Sequence, residues 1–297
     1  ELMTDFHQVV QAQHVVPAEN IYVRSVTYME NEGKTIPIRA TFENTKKPEF
    51  YRAIGQIILE VSKAVPSGIL CFLGSYFVLQ SLLKHLNISG LMTILKGNKK
   101  VFVEPPNSKE LDQLLSDYRE TIYAGDGAIM FAVFRGKIAE GIDFSDDEAR
   151  AVIVVGIPFA AKMDPAVFRK MEYNNKRSQI GGLVPGKEWY TTQAFRALNQ
   201  ALGRCIRHIN DWGSLILVDN RFLYEEYKKM LPHWLTQLWG SGPYHGSHNT
   251  LSEDLEEFCN RMLKKSTPEG RESEKQTITK EELDMVDGES TQQKINN

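Results

Sequence analysis

Hydrophobic positions along the chain switch repeatedly between two periods. Ile54, Ile57, Ile58 and Val61 recur at helical spacing until Pro66-Ser67-Gly68 stops the run, and Gly68-Ile69-Leu70-Cys71-Phe72-Leu73 follows as an unbroken apolar stretch. A strand that is apolar at every position is one buried on both faces. The alternation then repeats. Val78, Leu79, Leu82, Leu83 and Leu86 predict a helix, Val101-Phe102-Val103 a short strand, and Leu111, Leu114, Leu115, Tyr118 and Ile122 another helix. Apolar strands are expected at 127–133, 151–156 and 214–219, with helices over Phe168 to Tyr173 and Thr191 to His208 before the last of them. Strands alternating with helices predict an α/β fold on a doubly wound parallel sheet.

The flanks read differently. Ile21-Tyr22-Val23 and Ile36-Pro37-Ile38 are short expected strands, broken by Asn31-Glu32-Gly33. After Arg221 come an amphipathic segment from Tyr224 to Trp239, a Gly/Ser/His-rich turn from Gly240 to Asn249, and a helix through Leu251, Leu255, Phe258 and Met262. From Ser266 onward polar and charged residues dominate, which predicts a disordered tail. The expected organisation is a joining segment at 1–50, a main α/β domain at 51–240, a helical extension at 241–265 and the tail at 266–297.

Composition narrows the function classes only a little. At 297 residues, with 42% hydrophobic and 25% charged positions, the chain has the make-up of a globular domain. A net charge of -3 gives no global attraction to nucleic acid, so any such binding needs a local basic patch. No run approaches the roughly 20 apolar residues of a membrane span. The first residues carry no secretory signal and no initiator Met, which suggests a fragment of a longer protein. Cys71, Cys205 and Cys259 lie far apart in apolar or helical contexts and read as buried, reduced thiols. His233, His245, His248 and Cys259 match no structural zinc spacing, and no metal site is expected.

Three strings carry candidate chemistry, each expected at a strand's carboxyl end, where parallel sheets bind ligands. Gly74-Ser75-Tyr76 opens a helix, so Ser75 either contacts a phosphate or simply caps the helix. Arg135-Gly136-Lys137-Ile138-Ala139-Glu140-Gly141-Ile142-Asp143-Phe144 concentrates cations, glycines and carboxylates in one loop. Arg135 and Lys137 could hold phosphates, and Asp143 could accept from a ribose hydroxyl or orient an arginine. The third string is Gln200-Ala201-Leu202-Gly203-Arg204-Cys205-Ile206-Arg207. On a continuous helix Arg204 and Arg207 project from one face beside Gln200, and Gly203 admits a neighbouring backbone. Forked, permanently charged donors suit a triphosphate whose terminal phosphoryl group is leaving. Gly181-Gly182-Leu183-Val184-Pro185-Gly186-Lys187-Glu188 nearly matches a phosphate loop, but Glu188 replaces the hydroxyl that would meet magnesium, and no strand leads into it. Arginines without a phosphate cradle are half a site, and the other half must come from another domain.

In this order, the strings resemble motifs IV, V and VI of the second motor domain of superfamily two helicases, and are most similar to the XPD-like iron–sulfur DNA helicases. The resemblance runs from Gly68-Ile69-Leu70-Cys71-Phe72-Leu73 with Ser75-Tyr76, through Arg135 to Asp146, Arg150-Ala151-Val152-Ile153 and Gly156-Ile157-Pro158-Phe159. It continues through Ala197 to His208, Asn210-Asp211-Trp212-Gly213 and Asp219 to Phe222, covering about residues 1–240. It implies a RecA-like fold, with Arg204 and Arg207 as arginine fingers on ATP and Mg2+ held by the first motor domain. Gln200, Asp143, Glu140, Gly141 and Gly203 would lie at the nucleotide, and Ser75, Tyr76, Arg135 and Lys137 on single-stranded or forked DNA. It further implies 5′→3′ unwinding, repair-protein partners, a nuclear location and a 4Fe-4S cluster confined to the other half of the protein.

The sequence reading is therefore the second motor domain of an ATP-dependent DNA repair helicase, inactive as an isolated chain. A non-catalytic RecA-like binding or regulatory module, and a fragment of an RNA helicase, remain open beside it.

Overall fold

The computed structural model describes residues 15–31, 34–241 and 251–266. The chain divides into two units, Glu1–Leu255 and Glu256–Asn297; the described part of the second is the end of one helix. In chain order the elements are β1 (Ile21–Val26), β2 (Tyr28–Asn31), β3 (Lys34–Pro37), α1 (Pro48–Ala64), β4 (Gly68–Leu73), α2 (Tyr76–Ile88), α3 (Leu91–Asn98), β5 (Lys100–Val103), α4 (Leu111–Tyr123) and β6 (Ala128–Val133). Then follow α5 (Lys137–Gly141), β7 (Ala151–Val155), α6 (Pro165–Ser178), α7 (Gly186–Leu202), β8 (Gly213–Val218), α8 (Glu225–Lys228), α9 (His233–Ser241) and α10 (Leu251–Ser266).

Six strands form one parallel sheet in the order β1-β8-β7-β4-β6-β5, and β2 and β3 pair antiparallel beside it. The order runs outward from β4 to β5 and then reverses past β4 to β7, so β4 sits at the switch point. Its residues divide by period two. Leu70 and Phe72 join a core with Leu115 and Tyr118 of α4 and Ala194, Phe195 and Leu198 of α7, while Ile69, Cys71 and Leu73 are buried on the opposite face.

The apolar runs of the sequence become strands at their expected places. The structure changes three details. Part of the stretch expected only to join onto a preceding domain is built into the sheet: β1 pairs with β8 from Ile21 opposite Gly213 to Val26 opposite Val218. The helix α3, absent from the sequence reading, follows Gly90 (φ 76°), and its two buried anchors, Met92 and Leu95, are followed by Gly97 and Asn98. The helix expected to run from Thr191 to His208 instead begins at Gly186 and stops at Leu202. The Gly/Ser/His-rich turn lies almost wholly outside the described residues, as does the polar tail after Ser266.

One half-buried carboxyl is poorly compensated. Burial pushes Glu60 of α1 up to about 7 against the opposing charges of Lys63 and Arg24, and its Oε2 has no hydrogen-bond partner among the described residues. Arg24 is itself engaged by Asp254 at 2.5 Å. The folded state therefore holds the Glu60 proton to higher pH than the unfolded chain does, and stability falls as pH rises from the ordinary carboxyl value of 4.5 through about 7. Melting temperatures of the Glu60→Gln variant should show a smaller fall than the parent across that window; parallel curves would contradict the assignment.

Candidate functional site

Gly203 ends α7, its N–H bonding to Asn199 O at 3.0 Å. Arg204 and Arg207 therefore do not share a helical face as their spacing predicts; they occupy the turn between α7 and β8. The turn buries Cys205, Ile206 and Trp212, which a continued helix would carry away from the core. Nor does Gly203 admit a second backbone: a Cβ there would meet only Asn199 O and Gln200 O of its own helix, at 3.3 and 3.8 Å. The arginines also precede β8, so they lie beside the amino ends of strands and not at the carboxyl ends where the sequence reading put them.

A buried ion pair fixes this turn. Asp211 is fully buried; its Oδ1 accepts from Arg150 Nη1 at 2.8 Å and from Trp212 N at 2.9 Å, and its Oδ2 accepts from Arg207 N at 2.9 Å. Arg150, buried to 7% side-chain exposure, also donates to Trp212 O at 2.9 Å and to Asp147 at 2.8 Å, and lies 4.5 Å from the Trp212 ring. Its backbone N–H bonds to Gly68 O and its carbonyl accepts from Ser214 N, so one residue ties the starts of β4, β7 and β8 to the arginine turn. Both residues lie in the strings that carry the family resemblance, but their pairing is set by tertiary structure alone.

The two arginines play different parts. Arg204 bonds to the end of α5: Nε and Nη2 donate to Ala139 O at 3.0 and 2.6 Å, and Nη1 donates to Ile142 O. Burial lowers its pKa, with Arg207 adding to the effect and Asp143 and Glu140 opposing it. Arg207, with 31% of its side chain exposed, pairs through Nη2 with Asp143 Oδ1 at 2.7 Å, and Asp143 is itself 74% exposed. Glu140 and Gly141 are exposed beside them. Gln200, in the last turn of α7, lines a pocket of about 490 Å³ with Phe195, Arg196, Asn199 and Met230, which the two arginines do not line.

The other end of α5 faces the DNA candidates. Glu104, which no sequence motif marked, is buried just beyond β5; its Oε2 accepts from Val133 N at 2.9 Å and its Oε1 from Ile138 N at 3.3 Å. A Cβ at Gly136 would come within 2.6 Å of Glu104 Oε1, so this position requires glycine. Arg135 adopts φ 62° and donates to Gln193 O of α7 at 3.3 Å, and Lys137 is exposed at the start of α5. Ser75 caps α2 by accepting from Val78 N at 3.3 Å, the plain structural role of the two it could take. Tyr76 reaches Pro105 O at 3.5 Å, and burial followed by the nearby Glu104 charge raises its pKa. These four residues lie at the carboxyl ends of β4 and β6, and α5 connects them to the arginine turn.

Residues 58–238 match the helicase C-terminal domain family. The chain belongs to this family, within the XPD-like helicases. It is 41% identical over 271 residues to the Fanconi anemia group J protein homolog of Gallus gallus, covering 89% of this chain and 21% of that protein. It is 34% identical over 259 residues to a regulator of telomere elongation helicase 1 homolog of Drosophila persimilis, covering 87% of this chain and 25% of that one. The chain thus spans between a fifth and a quarter of the length of these two relatives. Its fold is the RecA-like α/β fold of the solved structures XPD_APO and XPD_Helicase. The first matches with a TM-score of 0.51 at 18% identity, over 76% of this chain and 39% of that one. The second matches with a TM-score of 0.50 at 19% identity, over 71% and 33%.

Against this helicase background the remaining polar clusters are structural. Asp146, His208 and Asp211 come close together, but Arg150 already supplies the positive charge there, and Asp211 has both oxygens engaged, so the group does not fit a metal ion. Of the rejected zinc set, His245 and His248 lie outside the described residues. The three cysteines are buried, and burial raises the Cys71 thiol far above its usual range. Three cysteines cannot furnish the four thiolates of an ordinary cubane cluster. The loop resembling a phosphate loop is preceded by α6 and not by a strand. Gly186 N donates to Asn175 Oδ1 at 2.8 Å, and Gly181 and Gly182 have φ of 87° and 98°. It is a connection between helices.

Removing Asp211 would leave Arg150 charged and buried. Asp211→Ala should cost about 3–5 kcal/mol in urea unfolding, whereas Asp143→Ala, removing an exposed partner, should cost about 0–1 kcal/mol. Similar losses in the two variants would contradict the assigned hierarchy.

Proposed function

We propose that this chain is the second motor domain of an ATP-dependent 5′→3′ DNA helicase, acting in DNA repair and supplying arginine to ATP held by the first motor domain of the same polypeptide. One observation carries the reading. The Arg207 backbone is anchored to a buried carboxylate, while among the described residues its guanidinium has only the exposed Asp143 as an ion-pair partner. That cation can exchange Asp143 for a phosphate without disturbing the core. Arg204, engaged by α5 carbonyls, is a positioning residue in this arrangement, Glu140, Gly141 and Gly203 are exposed close to it in the chain, and Gln200 lines the neighbouring pocket.

ATP with Mg2+ supplies the phosphoryl-transfer chemistry; this chain contributes cationic charge, and the phosphate loop and magnesium ligands belong to the first motor domain. Ser75, Tyr76, Arg135 and Lys137 contact single-stranded or forked DNA at the strand carboxyl ends. The five residues of α5, held at one end by Glu104 and at the other by Arg204, relay displacement between DNA and nucleotide surfaces. The polarity, the iron–sulfur cluster in the other half and the repair-protein partners are carried over from the family resemblance. Action in the nucleus is supported by the relative named for telomere elongation.

In the complete protein, Arg207→Ala should lower ATP turnover by about 10³–10⁵-fold with single-strand affinity retained. Near-normal turnover would contradict the finger assignment. Unwinding of an RNA duplex as fast as a DNA duplex would contradict the substrate.

A further inference from the structure

We infer that α6 presents a second binding surface for single-stranded DNA, separate from the residues of the recognised motifs. This rests on the reading of the chain as a domain that grips a single strand. Asn174 is the one buried residue of α6, which packs on α7 and otherwise faces solvent. Arg169, Lys170, Tyr173, Lys176 and Arg177 are all exposed, and their spacing of three and four about Tyr173 puts them on one helical face. Lys170 Nζ lies 5.4 Å and Arg177 Cζ 5.7 Å from the Tyr173 ring centroid, so one aromatic ring sits between cations.

A solvated helix face is the ordinary explanation for surface charge, but such faces mix signs. Here four cations stand against the single carboxylate of Glu172, on a chain whose net charge is -3. None of the four forms an ion pair among the described residues, although Glu172 is spaced to meet Arg169 and Lys176. Phe168 and Tyr173 are large aromatics left 54% and 49% exposed. Unpaired cations flanking an exposed ring match a strand with phosphates on its edges and unpaired bases to stack, whereas a duplex hides its base faces. The stretch from Arg169 to Arg177 runs about 12 Å at roughly 1.5 Å per residue, a span that several nucleotides can follow.

The location fits the same ligand. α6 leaves the carboxyl end of β7, the neighbour of β4, whose own carboxyl end carries Ser75 and Tyr76. Its approach is held by Tyr190 of α7, which donates to Ala160 O at 2.5 Å, and its start is capped by Asp164.

The test is titration of this chain with a labelled oligothymidylate of about 16 nucleotides. Replacing Arg169, Lys170, Lys176 and Arg177 together by alanine should reduce the slope of log affinity against log salt by about 2.8, at roughly 0.7 for each phosphate no longer neutralised. Tyr173→Ala should weaken binding by about 5- to 150-fold, the equivalent of one stacked base, while Tyr173→Phe should bind as the parent does. Unchanged melting temperatures would show that these exposed replacements leave the fold intact.

Parent-like affinity and slope in the α6 variants, with binding lost in Arg135→Ala/Lys137→Ala, would overturn the α6 site and leave the proposed function standing. No binding by the parent chain, or no loss in either set, would overturn both. Equal binding of polyglutamate would show that the face reads charge alone, and would overturn the inference.

Discussion

The pairing of Arg150 with Asp211 is the constraint on which the site depends. A buried guanidinium and a buried carboxylate are costly to desolvate, and each becomes a liability if its partner is lost. The chain spends that pair at the point where three strands begin. Arg150 reaches Gly68 and Ser214 through its backbone, and Asp211 receives the backbone N–H of Arg207. The position of a surface arginine is thereby set by the core of the sheet, and its side chain is left partly exposed. In the proposed function, where this arginine meets charge developing on a ligand held elsewhere, such preorganisation is worth more than an additional surface contact.

The second constraint is α5. Five residues are too few to be helical on their own, so the segment takes its place from its ends. The Glu104 carboxylate accepts an N–H in its first turn and the Arg204 guanidinium donates to carbonyls in its last, the signs that suit the two termini. Cations facing the strand carboxyl ends and cations facing the arginine turn are thus joined by one short rigid element. In the proposed function a shift at either end would move the whole segment, because neither cap can follow without breaking bonds to the sheet or to α7.

Much of the fold was legible because a parallel strand buried on both faces leaves an unbroken apolar run, and the runs at 68–73, 127–133, 151–156 and 214–219 mark such strands. The end of α7 was not legible, since Cys205 and Ile206 continue an apolar spacing that suits a helix equally well; the tertiary pull of Asp211 on the Arg207 backbone decides the matter. The loop from Arg135 to Asp143 could be picked out by composition, and its pairing with Arg207 was one of the options the residues allowed. Glu104 could not be found this way. A lone carboxylate between a short strand and Pro105-Pro106 looks like a solvated loop residue, and only the packing of β6 and α5 around it gives it a role. The cationic face of α6 lies in the sequence too, but without the structure it could not be told from a helix packed on all sides.

The central claim is that Arg207 is held ready for a nucleotide bound outside this chain and acts on the charge that develops during phosphoryl transfer. The most direct measurement compares the affinity of the complete protein for ADP and for ADP with aluminium fluoride, a mimic of that charge distribution, before and after Arg207→Ala. Unchanged ADP affinity with loss of most of the preference for the mimic is the predicted result, the loss approaching the roughly 10³–10⁵-fold contribution of an arginine finger. An equal preference in the parent and the variant would contradict the account.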